Sequence, residues 1–157
     1  EEYLAACETL RRWMPGCAVT TDVIVGFPGE TEAEFAETLD FVRAARFARI
    51  HVFPYSRRSG TAADRMDGQI PEAVKHERAQ KLIALGNQLE REYVSSMVNT
   101  VQTVLFEQPA GEGLAEGYTG EYVRVRAPAQ PGSLIPVRIV RAEDTLAVGE
   151  PTAVNGR

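Results

Sequence analysis

Apolar positions at the start of the chain recur at helical spacing. Leu4, Cys7, Leu10 and Met14 share a face with charges between them, and Pro15-Gly16 stops the pattern, so an amphipathic helix ending near Trp13 is expected. Residues 18–25 are rich in Val, Ile and Thr, and Val23-Ile24-Val25 is the short continuous apolar run of a strand covered on both faces. Gly26-Phe27-Pro28-Gly29 breaks that strand. Thr31-Glu32-Ala33-Glu34 then reads as a capping box, with the Thr31 hydroxyl taking an orphan amide and Glu34 reaching back. A helix therefore begins there, with Phe35, Leu39, Val42 and Ala45 as its buried stripe. A second strand is expected over residues 49–55, at the short spacing of a parallel α/β unit. Residues 56–70 form a polar loop and Pro71 opens the next helix. Val74, Leu82, Leu85, Leu89 and Tyr93 keep that helix amphipathic to about Met97, with Gly86 a mild weakness in its middle.

From Val98 the period changes to two. Residues 100–107, 113–117, 121–126, 135–141 and 145–148 read as short strands separated by segments such as Gln108-Pro109-Ala110-Gly111 and Pro128-Ala129-Gln130-Pro131-Gly132. Strands of this number and length make a small barrel. The expected organisation is an α/β part over residues 1–97, a β-barrel over 98–149 and a disordered tail over 150–157, with the boundary at 96–99. Helix, strand, helix, strand is the repeat of a doubly wound sheet or a (β/α) barrel, and the first part is too short to supply all of either.

The totals narrow the class. A chain of 157 residues with 44% hydrophobic content supports a packed core. No apolar run approaches the roughly 18 residues needed to cross a bilayer, so no membrane partner is expected. Glu1 and Glu2 open the chain inside a helical pattern, with no signal peptide, which suggests a start within something longer. Cys7 and Cys17 are the only cysteines, too few for a disulfide framework and too poorly spaced for a metal motif, so a cytoplasmic location is expected and no metal ligand is assigned. His51 and His76 likewise lack partners at ligand spacing.

A net charge of -5 argues against nucleic acid, but its distribution does not. Arg43, Arg46, Arg49, Arg57, Arg58, Arg65, Lys75, Arg78, Lys81 and Arg91 outnumber the acids of the same stretch. Solvated helix faces and a phosphate-binding surface both fit that pattern. In residues 121–126, alternation sends Val123 and Val125 to one face and Tyr122, Arg124 and Arg126 to the other, with Arg138 and Arg141 able to extend the patch. An aromatic flanked by guanidinium groups stacks a base and holds its phosphates. The rival reading is an ordinary charged surface, since the same region carries Glu107, Glu112, Glu116, Glu121, Glu143, Asp144 and Glu150.

The first strand and its loop, Asp22-Val23-Ile24-Val25-Gly26-Phe27-Pro28-Gly29-Glu30-Thr31, place exposed backbone groups where α/β folds bind ligands. A phosphate cradle is only weakly supported, because the loop is short, contains Pro28 and lacks the lysine of a P-loop, and a tight turn that merely launches a helix is the plain alternative. Residues 20–31 with Arg49-Ile50-His51-Val52-Phe53-Pro54-Tyr55-Ser56-Arg57-Arg58-Ser59-Gly60-Thr61 closely resemble the radical S-adenosylmethionine (SAM) tRNA methylthiotransferases. The segment around His51 to Ser56 is more similar to the MtaB type, acting on N6-threonylcarbamoyladenosine, than to the MiaB type, acting on isopentenyladenosine.

The resemblance implies the C-terminal part of a radical SAM barrel followed by a TRAM-like barrel that contacts tRNA. It implies SAM contacts at Ile24, Gly26, Glu30, Val52, Phe53, Pro54 and Tyr55, and RNA contacts at Arg57, Arg58, Tyr122, Arg124, Arg126, Arg138 and Arg141. Barrel core is the lesser alternative for Phe53 and Tyr55, since strand aromatics often pack. The family's [4Fe-4S] clusters are held by cysteine motifs absent from this chain, so the full-length parent would carry SAM and clusters while this chain alone would be inactive. A dimer through the exposed barrel edge is a further expectation. The rival from another class is a non-catalytic RNA-binding module on an α/β scaffold.

Overall fold

The computed structural model describes residues 1–152. Two compact units divide between Leu89 and Glu90. That division falls inside the third helix, several residues before the expected boundary at 96–99.

In the first unit α1 (Glu2–Trp13) precedes β1 (Thr20–Val25), α2 (Glu32–Ala45), β2 (Arg49–Pro54), a short 3-10 turn (Ala63–Arg65) and α3 (Glu72–Ser96), which runs on into the second unit. β1 and β2 are parallel neighbours, with Asp22 opposite His51, Val23 opposite Val52 and Ile24 opposite Phe53. The side of the sheet carrying Val23, Val25, Ile50 and Val52 packs on helix residues Phe35, Val42, Ala79, Leu82 and Leu85. The other side is bare: Ile24 is 56% and Phe53 51% exposed. The expectation of a strand covered on both faces therefore fails among the described residues, because both flanking helices lie on one side.

α2 begins as its sequence dictates. The Thr31 hydroxyl accepts from the Glu34 amide, and Glu34 Oε2 accepts from the Thr31 amide at 2.7 Å. Those hydrogen bonds hold the Glu34 carboxyl below its ordinary value. At the other end of α2, the Arg11 guanidinium donates to the carbonyls of Ala45 and Arg46, satisfying terminal groups that the helix cannot pair itself. On α1, Cys7 is buried and Leu4 packs on the core, whereas Leu10 and Met14 stay exposed, so only half of the expected stripe is used.

The second unit is a closed five-stranded barrel in the order β3-β4-β5-β7-β6. Its strands are β3 (Val101–Gly111), β4 (Leu114–Thr119), β5 (Arg124–Pro128), β6 (Leu134–Glu143) and β7 (Leu146–Pro151). Val104, Phe106, Val125, Val137 and Ile139 fill it, joined by Val94 and Met97 from the end of α3. Three expectations shift. Gln108 to Gly111, read as a separator, continues β3 through two register shifts. Residues 121–123 form a turn before β5, with Tyr122 at φ 59. Glu150 and Pro151, assigned to the tail, are paired in β7, and the tail residues 153–157 lie outside the described residues. Inside the barrel, a Cβ on Gly117 would collide with the Leu105 carbonyl and the Phe106 Cα, so glycine lets β4 approach β3 at the bulge.

Two outcomes are expected. Gly117→Ala should destabilise the barrel by about 1–3 kcal/mol in chemical denaturation. Thr31→Ala should cost about 1 kcal/mol. Because the Glu34 carboxyl is depressed in the fold, its stabilising effect is full above the unfolded value and lost as pH falls through the folded one. Acid titration of a Glu34→Gln variant should lack that loss, whereas Thr31→Ala, which keeps the backbone amide that donates to Glu34, should only reduce it.

Candidate functional site

The first site lies at the carboxyl ends of β1 and β2, on the bare side of the sheet. A cleft of about 640 Å³ is lined by Asp22, Ile24, Phe53 and Pro54 from the strands and by Phe27, Tyr55, Ser56, Arg58, Thr61 and Ala63 from the segments that follow. Pairing extends past β2, since the Tyr55 amide donates to the Val25 carbonyl at 2.8 Å. The Phe27 and Tyr55 rings meet edge to face at 5.2 Å. The wall is thus largely aromatic and aliphatic, with a carboxylate at Asp22 and a guanidinium at Arg58, the pattern of a small-molecule site with a few orienting polar groups.

Of the residues singled out from sequence for a cofactor, Ile24, Phe53, Pro54 and Tyr55 line this cleft. Val52 does not, because alternation turns it toward the helices, where it packs on the core. Gly26 and Glu30 do not line it either. Gly26 has φ +72, and a Cβ there would meet Lys75 Cγ at 2.5 Å, so its small size admits α3 and not a ligand. The Gly26 amide donates to Glu30 Oε2 at 2.7 Å, and the same oxygen accepts from Arg78 Nη1 at 2.6 Å. Arg78 also donates to the Glu30 carbonyl and to Glu32. Glu30 is therefore a brace for the β1–α2 loop.

Lys75 and Arg78 belong to the basic stretch that fits either solvated helix faces or a phosphate-binding surface, yet both are buried. Lys75 pairs with Glu72 and stands 5.3 Å from the centre of the Tyr55 ring. The overlooked signal was spacing, since positions 75, 78, 82, 85 and 89 form one helical stripe. Arg57 turns away to Asp64, donating from Nε at 2.6 Å and from Nη2 to the Asp64 carbonyl. Asp64 also accepts from the Gly60 amide. That bracket shapes the loop and leaves the Arg58 guanidinium in the cleft wall without a partner among the described residues.

The second site is the outside of the barrel. Arg126 donates twice to Glu116 Oε1, at 2.9 and 2.6 Å, while Arg124 lies 4.0 Å from the other oxygen. Arg126, Val148 and Arg141 align across β5, β7 and β6, so Arg126 and Arg141 are brought onto one surface. Arg141 pairs with Glu143. Arg138 lies between Val101 and Glu150 and donates to the Asn99 carbonyl. Tyr122 is 75% exposed on its turn and not on the strand. The aromatic directly opposite Arg124 is Tyr118 on β4, which alternation around Gly117 could have revealed.

No family model matches the chain. Curated proteins do. The chain is 45% identical over 140 residues to threonylcarbamoyladenosine tRNA methylthiotransferase MtaB of Bacillus subtilis, covering 85% of this chain and 31% of that protein. This chain is a homologue of the tRNA methylthiotransferases. It is also 46% identical over 135 residues to a tRNA-2-methylthio-N(6)-dimethylallyladenosine synthase of Mycobacterium bovis, covering 86% of this chain and 25% of that enzyme. A Mycobacterium ulcerans synthase of the same name is 42% identical over 154 residues. The homologue spans about a third or less of the length of these methylthiotransferases. Among its described residues no helix is long and apolar enough to cross a membrane.

Removing Arg78 would strand the Glu30 carboxylate in a nearly closed environment, the Arg78 side chain being 7% and Glu30 14% exposed. Arg78→Met is expected to destabilise the first unit by about 3–5 kcal/mol. Amide exchange at Gly26 should accelerate with it, and an unchanged rate would show that the brace does not hold the loop.

Proposed function

We propose that this chain is part of a tRNA methylthiotransferase that adds a methylthio group to C2 of N6-threonylcarbamoyladenosine, contributing one wall of a SAM site and contacts to tRNA. The observation that carries the reading is the cleft at the tips of two parallel strands whose open side is apolar. A two-stranded sheet with helices on one side and bare Ile24 and Phe53 on the other matches an arc of a (β/α) barrel seen from its interior. The identity to MtaB supports the same assignment.

The cleft fits the adenosine end of SAM. Its volume is within the usual range for small-molecule pockets, Ile24 and Phe53 offer flat apolar contact, and the backbone beside Pro54 and Tyr55 can read a base edge. When bound, SAM supplies the methyl group and the radical chemistry. The chain's own residues orient it, exclude water with aromatic walls and keep the loop shape through Glu30 and Arg78. An iron–sulfur cluster does not fit. The chain has two cysteines, Cys7 buried and Cys17 half-buried, and no group of three or more candidate ligands converges among the described residues. Clusters would belong to parts of the enzyme beyond this chain, and the chain by itself would form no product.

The dimethylallyladenosine-directed relatives are equally similar, so substrate choice is argued from chemistry. A threonylcarbamoyl group carries a carboxylate and a dimethylallyl group carries none. The Arg58 guanidinium in the cleft wall suits the former. The test uses the parent enzyme, assembled anaerobically and given tRNA bearing either nucleoside, with products read by mass spectrometry. Methylthiolation of the threonylcarbamoyl substrate, reduced at least tenfold by Arg58→Ala, is expected. Exclusive reaction of the dimethylallyl substrate would reverse the assignment. Tight tRNA binding with no methylthio product would favour the non-catalytic RNA-binding module.

A further inference from the structure

Strand register places exposed residues of four barrel strands in one transverse line. Leu105 of β3 is opposite Leu134 of β6 on one side and Tyr118 of β4 on the other, and Tyr118 is opposite Arg124 of β5. Leu134 is 65%, Leu105 44% and Tyr118 40% exposed. Directly paired residues point to the same face of a sheet, with side chains in contact range. Three strand spacings make the line about 14 Å long. Isolated surface leucines need no explanation, but an aligned row on a closed barrel is a surface that water does not favour.

We propose that Leu134, Leu105, Tyr118 and Arg124 form a stacking platform for unpaired nucleobases of an RNA loop. The proposal rests on the reading of the chain as tRNA-binding and identifies where on the barrel, and by which physical means, the bases are held. The aromatic ring beside a guanidinium gives a base a face to stack on and its phosphate a cation. Glu116 spends one oxygen on two hydrogen bonds from Arg126, while Arg124 is only within 4.0 Å of the other, so Arg124 is the more available charge. The backing is rigid. Val104, Phe106 and Val125 are fully buried on the inner side, and Gly117 locks β4 onto β3 next to Tyr118. An open four-strand face of this width suits two or three splayed bases, as other sheet platforms do. None of Leu134, Leu105 or Tyr118 was singled out by the alternation of residues 121–126, which pointed to Tyr122.

The test measures fluorescence anisotropy of a labelled RNA stem-loop and a labelled fully paired RNA duplex with the 157-residue chain at several salt concentrations. Tyr118→Ala is expected to weaken stem-loop binding about tenfold without changing duplex binding or the salt slope. Tyr118→Phe should restore it, because the ring and not the hydroxyl stacks. Leu134→Ser, on a different strand, should weaken the stem-loop alone in the same way, and decides the matter should Tyr118→Ala lose its circular dichroism. If both variants bind like the parent while Arg124→Ala with Arg126→Ala weakens binding, the platform is overturned and the tRNA reading stands. No binding of either RNA overturns both. A dimer of the chain that Leu134→Ser dissociates would make the row a protein contact and overturn the proposal.

Discussion

One carboxylate oxygen organises the first unit. Glu30 Oε2 receives both the Gly26 amide and the Arg78 guanidinium, tying the end of β1, the start of α2 and the second turn of α3 to a single point. The charges are nearly enclosed, and such a pair is stable only when both partners and their remaining hydrogen bonds are in place. Arg78 meets that condition at its two terminal nitrogens through the Glu30 carbonyl and Glu32, while its Nε is buried without a partner among the described residues. Lys75, one turn earlier, fills the space that a side chain at position 26 would need. The loop beneath the cleft therefore takes its shape from α3, a helix that contributes nothing to the cleft wall.

The second constraint is one-sided burial. Period-two alternation turns Val23, Val25, Ile50 and Val52 onto the helices and leaves Asp22, Ile24 and Phe53 on the far side. Bare apolar side chains in a parallel pair are costly unless something covers them. On the function proposed above, a bound ligand and further parts of the enzyme would supply that cover. In the barrel unit the balance is reversed: the inner face is filled by the chain's own residues, and the outer face carries the row of Leu134, Leu105 and Tyr118.

Local chemistry was legible wherever it was written in neighbouring residues. The Thr31–Glu34 capping box, Pro71 at the opening of α3 and the change of period after Val98 each placed an element within a few residues. What depends on strands far apart in sequence was not legible. Val52 and Phe53 were both given as cofactor contacts; alternation already puts such neighbours on opposite faces, but which face the helices cover is decided by packing. Glu30 matched a family motif, but its partner Arg78 lies 48 positions away. Lys75 and Arg78 were legible as helical stripe positions, but their charge suggested a solvated face or a phosphate site and not burial. The same bias drew attention to Tyr122 and the arginines and passed over Tyr118, whose importance comes from register with Leu105 and Arg124.

The order of strands in the barrel carries a consequence for its making. β7 is the last of the five barrel strands in sequence yet sits between β5 and β6, pairing in parallel with one and antiparallel with the other. The hairpin of β3 and β4 can zip locally, but closure requires the final strand to enter a gap between two that are already synthesised. On a ribosome the unit therefore stays open until its last residues emerge, and folding is governed by a long-range step of high contact order. Arg126 and Arg141 come to flank Val148 only at that moment, so a half-made chain cannot present this basic surface to RNA.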